Sequence, residues 1–336
     1  MSNGGASVVG RVSGLVIQAD APVQGLRPLQ VPESPDVCVR MRGTIGQPVP
    51  DESVTAWYVS PYRDERGVPL LTIRKTPAEG RALLPAYLLC YAEGTRFLVS
   101  ASGGEVDAWW DEPLTDVDAA DYLLGGVLAF IARLRGRVPV HASAVVIEDQ
   151  AVLFAGAAGA GKSSIASAFA LLGYPVLSDD VVVIDDSSGG MMAYPSRARL
   201  SLWPDSAASL FSTTSLPTHS EVYAKRRLDV LENGYRFHEH AVRVGAICVL
   251  ACRRPGHGPT IRALRPQLAL MDLVRHTYGN YLLDASLRAR EFDILGRIAE
   301  SVCISELSLS AGLDELAPDC RWLADRLALQ SAAQTT

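Results

Sequence analysis

Apolar and polar positions fall into two regimes along this chain. Over residues 7–110, short β-branched or aromatic-rich runs alternate with Gly, Pro and Asp. RVSGLVIQAD (11–20), DVCVRMRG (36–43), VTAWYVS (54–60), LLTIRK (70–75) and TRFLVSA (95–101) each have strand length and composition. From Asp116 the period changes. DVDAADYLLGGVLAFIARLRG (116–136) carries acids early, apolar residues at helical spacing and Arg133 and Arg135 late, which predicts a helix over 119–134. An apolar run QAVLFAG (150–156) then predicts a strand, and KSSIASAFALL (162–172) a helix that Gly173 ends. Two later segments, LRPQLALMDLVRHTYG (264–279) and LRAREFDILGRIAE (287–300), read as helices packing on a sheet. The pattern predicts a β-rich domain over 1–115 for scaffolding or substrate docking, an α/β domain over 116–328, and a flexible tail over 329–336.

Composition narrows the class. Hydrophobic residues make up 48% of 336 and charged residues 20%, an ordinary globular balance. A net charge of −6 gives no case for nucleic acid. No run reaches membrane-spanning length, and the N-terminus lacks the order of a signal peptide. The six cysteines show no CxxC spacing, so free thiols in a reducing cytoplasm are expected.

The chemistry concentrates between the predicted strand and helix. Gly156-Ala157-Ala158-Gly159-Ala160-Gly161-Lys162-Ser163 fits G-x-x-x-x-G-K-[ST]. Glycines let the backbone curl so that successive N–H groups face phosphate oxygens, and the helix start adds positive potential. Lys162 would supply a mobile charge for the β- and γ-phosphates, and Ser163 a hydroxyl ligand for Mg²⁺. Ser164 adds a first-turn N–H. ATP and Mg²⁺ are the cofactors this pattern calls for. Downstream, Ser178-Asp179-Asp180 closes a strand before the apolar VVVI (181–184). Alone, such a pair is a turn that favours Asp. Opposite a triphosphate cradle it reads as metal and base chemistry. The order expected is Asp179 as base and Asp180 as metal ligand with Ser163.

The run from Val222 to Arg254 holds seven Lys or Arg against three acids. It is either a solvated basic face or a clamp on the transferring phosphoryl group. Lys225 and Arg226 are the candidates for the clamp. Arg253, after the apolar AICVLAC (246–252), either meets nucleotide or substrate or lies in a plain loop. His141 opens HASAVV, and a lone His carries no role by itself.

In combination these residues resemble the HPr kinase/phosphorylase family, and in particular its shorter HPr-kinase-like relatives found with lasso-peptide biosynthesis genes. The shared order is His141, the loop Gly156–Ser163, Gly173 and Asp179-Asp180. The segments AYPSRARLSLWPDSAASL (193–210) and YAKRRLDV (223–230) are also similar, and the likeness covers about 121–265. The resemblance implies a P-loop kinase fold related to phosphoenolpyruvate carboxykinase and an ATP- and Mg²⁺-dependent serine kinase. It places His141 in the active site. It further implies a peptide acceptor, the C-terminal Ser of a lasso precursor. Ala158 and Ser164 depart from the residues common in the bifunctional enzymes, and the downstream segment associated with phosphorolysis and oligomer contacts has no clear copy here. The resemblance therefore implies plain kinase activity and leaves the reverse reaction and a hexamer unsupported. Rival expectations are a kinase of another small protein or of a small molecule, and an ATP-binding regulator without transfer. The sequence leaves the oligomeric state open.

Overall fold

The computed structural model describes residues 7–31, 33–43, 55–76, 86–186, 190–211, 216–217, 225–252, 256–279 and 284–334. The chain divides into two compact units, 1–135 and 136–336.

The first unit is an eight-stranded sheet. Its strands are β1 (Val8–Val12), β2 (Leu15–Ala19), β3 (Val37–Gly43), β4 (Ala56–Val59), β5 (Leu71–Thr76), β6 (Ala86–Tyr91), β7 (Arg96–Val99) and β8 (Glu105–Trp109). They are ordered β1-β2-β3-β8-β7-β6-β5-β4. The stretch 11–20 is not one strand. Ser13 and Gly14, with φ of 55° and 73°, make a two-residue turn that pairs Val12 with Leu15. Helix α1 (Asp116–Tyr122) follows, continues through a π-helical turn (Leu123–Val127) and becomes α2 (Leu128–Leu134). The Asp118 carboxylate fixes its start by accepting from both the N–H and the hydroxyl of Thr115, each at 2.9 Å. This helix was expected to lead the second domain, but it falls in the first unit. Its apolar face supplies the reason: Phe130 meets Tyr87 edge-on at 5.1 Å, and Tyr122 lies 4.0 Å from Tyr91. The boundary therefore lies at 135/136 rather than 115/116.

The second unit is a three-layer α/β structure. β9 (Val138–Val140), β10 (Ala142–Ile147) and β11 (Gln150–Ala155) lead into α3 (Lys162–Leu171). Then come β12 (Val176–Ser178), β13 (Val182–Asp185), β14 (Met192–Tyr194), β15 (Arg199–Leu202), α4 (Pro204–Phe211), β16 (Arg226–Asp229), β17 (Val242–Leu250) and β18 (Thr260–Ala263). α5 (Pro266–His276), α6 (Ala285–Ser301), β19 (Cys303–Ser308) and α7 (Leu316–Gln334) complete it. β11 and β17 run parallel at the sheet centre, with β17 parallel to β19 and β10 antiparallel to β11. Alternation along the strands splits the core in two. Ala144, Leu153 and Ala155 pack with Leu273 of α5 and Leu295 and Ile298 of α6. Val145, Val152 and Phe154 face Ile165 and Phe169 of α3 and Leu323 of α7. α7 continues over residues expected as a tail, because Leu323, Ala324 and Leu327 are buried just before them. Among the described residues no helix is long and apolar enough to cross a membrane.

Candidate active site

The glycine-rich loop joins the central strand β11 to α3. Gly159 and Gly161 have φ of 80° and 98°, which the loop's reversal requires and a side chain would resist. Ala157, Ala158 and Gly159 are exposed, whereas Lys162 and Ser164 are buried. Lys162 Nζ donates to the carbonyls of Gly156 (2.9 Å) and Ala157 (3.0 Å). Burial lowers the Lys162 pKa from its ordinary value and Lys225 adds to this, while Asp180 and Asp179 oppose it. The first-turn N–H groups of α3 have no intrahelical acceptor. The loop thus gathers donors and one ammonium, with no acid of its own. Ser167 donates to the Ser163 carbonyl at 2.8 Å and serves the helix.

The two aspartates are adjacent but occupy different environments. Asp179 Oδ1 accepts from Ser163 Oγ (2.8 Å) and Ser143 Oγ (2.6 Å), and its Oδ2 from the Ser201 N–H (2.8 Å). Three elements, α3, β10 and β15, hold one carboxylate. Asp180 stands with φ of 75°, in the left-handed region that Asp tolerates better than most residues. A buried side chain enforces the turn: Ser178 Oγ donates to the Val181 carbonyl at 2.6 Å and lies 2.8 Å from Ser196 Oγ. The Asp180 side chain is 48% exposed, with Oδ1 3.4 Å from His141 Nδ1.

His141 sits between β9 and β10. Its N–H donates to the His276 carbonyl at 2.7 Å, and Nδ1 lies 2.9 Å from the Asp180 carbonyl. Burial lowers its pKa, Asp180 opposes this, and Lys162 and Lys225 lower it further. The ring is therefore neutral near pH 7, and its Nδ1–H tautomer donates to Asp180. Its closeness to the Asp180 carboxylate is not an ion pair at that pH.

The fold thus brings together Gly156–Ser164, Asp179, Asp180 and His141. Lys225 joins them through its field on His141 and Lys162. Arg226 stands next along β16, opposite Leu202. Arg253 lies outside the described residues. Sequence reasoning missed Ser143, Ser178 and Ser201. Ser143 had a signal, being a polar residue two positions from His141 within an otherwise apolar strand. Ser201 had none, because its part is played by a backbone N–H.

The donor set fits a nucleoside triphosphate with a hard divalent cation. Backbone N–H groups and Lys162 suit phosphate oxygens. Ser163 Oγ beside the Asp179 carboxylate offers the oxygen ligands Mg²⁺ takes when substrate phosphates complete its shell. Among the described residues no group of three or more His, Cys, Asp or Glu side chains is placed to hold a metal unaided.

No family model matches the chain, and no curated protein does. Among solved structures it is similar to the HPr(Ser) kinase/phosphatase from Coxiella burnetii, with 14% identity and a TM-score of 0.32. That overlap covers 57% of this chain and 98% of the other. A likeness that loose carries no argument, and function rests on the residues of the loop and the turn.

Proposed function

We propose that this protein is an ATP-dependent phosphotransferase that phosphorylates a hydroxyl, with a serine of a peptide as acceptor. The observation that carries the reading is the division of labour in the aspartate turn. Asp179 is bound to Ser163 of the loop and held from three sides, as a carboxylate beside a metal must be. Asp180 is half exposed beside His141, as a base for an incoming hydroxyl must be. This reverses the order expected from the sequence, making Asp180 the base and Asp179 the metal-side group.

In the step itself, the acceptor oxygen forms a bond to the γ-phosphorus while the bond to the β–γ bridging oxygen breaks. The hydroxyl proton passes to Asp180 and ADP leaves. Mg²⁺, when bound by Ser163 and Asp179, neutralises phosphate charge. Lys162 meets the same charge from the loop, and Lys225 supports it as a clamp. His141, neutral, fixes the Asp180 backbone through Nδ1. A regulator that only binds ATP needs no strained, accessible carboxylate beside its cradle. Support for a peptide acceptor, and for a lasso precursor's C-terminal Ser among peptides, comes from the sequence resemblance.

The test is mass spectrometry of a lasso-type precursor incubated with the protein, ATP and Mg²⁺. Phosphate on its C-terminal Ser is expected, and phosphate on a free metabolite alone would replace the peptide reading. Lys162→Ala should abolish transfer. Because Lys162 is buried and bonded to two carbonyls, that variant should also lose about 1–3 kcal/mol of stability. Undiminished turnover in this variant would remove the loop from the mechanism.

A further inference from the structure

The β15–β16 pair sets an exposed tryptophan, which the proposed mechanism does not use, against Lys225, which it does. The two strands run antiparallel with Leu202 opposite Arg226. The next pair in that register is Trp203 and Lys225, and the Lys225 ammonium lies 5.7 Å from the centre of the Trp203 ring. Leu200 and Leu202 are buried, whereas Trp203 is 52% exposed. A single exposed ring means little by itself. What marks this one is its position. Two residues before it, the Ser201 N–H bonds Asp179. Three residues after it, Ser206 Oγ lies 3.4 Å from Ser164 Oγ, on the first turn of α3. The ring is thus tied on one side to the aspartate turn and on the other to the helix start that receives phosphates. Lys225 acts on Lys162 and His141 through its charge, so its ammonium shares their surroundings.

We propose that Trp203 and Lys225 form the subsite for the nucleoside part of the nucleotide, the indole stacking the purine base and the ammonium facing the phosphates. This rests on the loop being an ATP cradle. The chemistry favours a nucleotide over the acceptor. A nucleotide joins a flat π-system to a polyanion, which complements an aromatic face set beside a cation. The accepting end of a peptide offers a hydroxyl and a backbone, with no fixed flat group. Because every base has a π-face, stacking contributes affinity with little choice among bases. Discrimination between ATP and GTP at this ring is expected to be weak.

The probes are ADP and inorganic tripolyphosphate, each with Mg²⁺, titrated against the full chain and its Trp203→Ala and Trp203→Phe variants. Trp203→Ala should weaken ADP by about tenfold or more and leave tripolyphosphate unchanged. Trp203→Phe should keep most of the ADP affinity. In the wild type, ADP should change indole fluorescence in a way that Trp203→Phe abolishes and tripolyphosphate does not reproduce. The fluorescence arm needs only the conservative variant, so it decides the matter even if Trp203→Ala fails to fold. Unchanged ADP affinity, an equal loss for both ligands, or a rise confined to the acceptor's KM would each overturn the proposal. Failure of phosphoryl transfer with the ADP difference intact would sink the kinase reading and leave this subsite standing.

Discussion

Asp179 and Asp180 show how two identical side chains acquire different work from one turn. The first accepts hydrogen bonds from three elements, and the second is pushed towards solvent by a left-handed backbone. Their amides should therefore behave differently. Asp180→Asn keeps a residue type that accepts positive φ. It should leave the melting temperature and ADP affinity nearly unchanged while transfer falls by about 10²–10⁴-fold. Asp179→Asn cannot satisfy its neighbours. If its oxygen keeps the two hydroxyls, its NH₂ meets the Ser201 N–H, and a donor faces a donor. That variant should lose activity together with about 1–3 kcal/mol of stability. Transfer assays beside thermal unfolding separate the two, and a fully active Asp180→Asn would return the base to Asp179.

At the scale of elements, what could be read in the sequence was what neighbours in the chain determine. β11, the loop and α3 were legible because an apolar run, glycine spacing and a C-terminal Gly173 all act within about twenty residues. Gly173 indeed takes φ of 90° just past α3. In the first unit five runs became strands, but β1, β6 and β8 were not foreseen. β1 was hidden because the Ser13–Gly14 turn sits inside one apolar stretch, and turn chemistry outweighed periodicity there. The β15–β16 pair was illegible for another reason. Its strands are separated by α4 and a long connection, so only the tertiary fold tells that Trp203 meets Lys225. The aspartate turn lies between these extremes. The Asp pair was visible, whereas its enforcer, Ser178, looked like an ordinary turn residue. Ser178→Ala leaves the Val181 carbonyl without its hydroxyl donor at a fully buried site. A loss of about 1–3 kcal/mol is expected, with transfer reduced more than ADP binding because Asp180 loses its fixed direction. Equal losses in both would show that the serine supports the unit as a whole rather than the turn.

Across the whole molecule, the two units differ in which groups titrate with folding. Burial lowers the pKa values of His141, His238 and His276, all in the second unit. For a base held neutral by the fold, the unfolded chain binds more protons once pH drops below its ordinary 6.5. Stability therefore falls as pH goes from about 7 towards 5. In the first unit the sign is the same but the window lies lower. Burial alone would raise Asp107, but hydrogen bonds and charge from Arg40 and Arg42 outweigh it and lower its pKa. The Asp107 contribution is full above the unfolded value of 3.8 and is lost as pH falls through the folded one. Acid should therefore weaken the second unit first. Calorimetry from pH 8 to pH 4 should show the transition of the 136–336 unit moving down below about pH 6.5 while that of the 1–135 unit holds its position. His238→Gln and His276→Gln together should reduce the first shift and leave the part that His141 carries, since a neutral amide takes up no proton on unfolding. A first unit that lost stability at pH 6, or a second unit indifferent to it, would mean that the histidines are not the groups that couple acid to this fold.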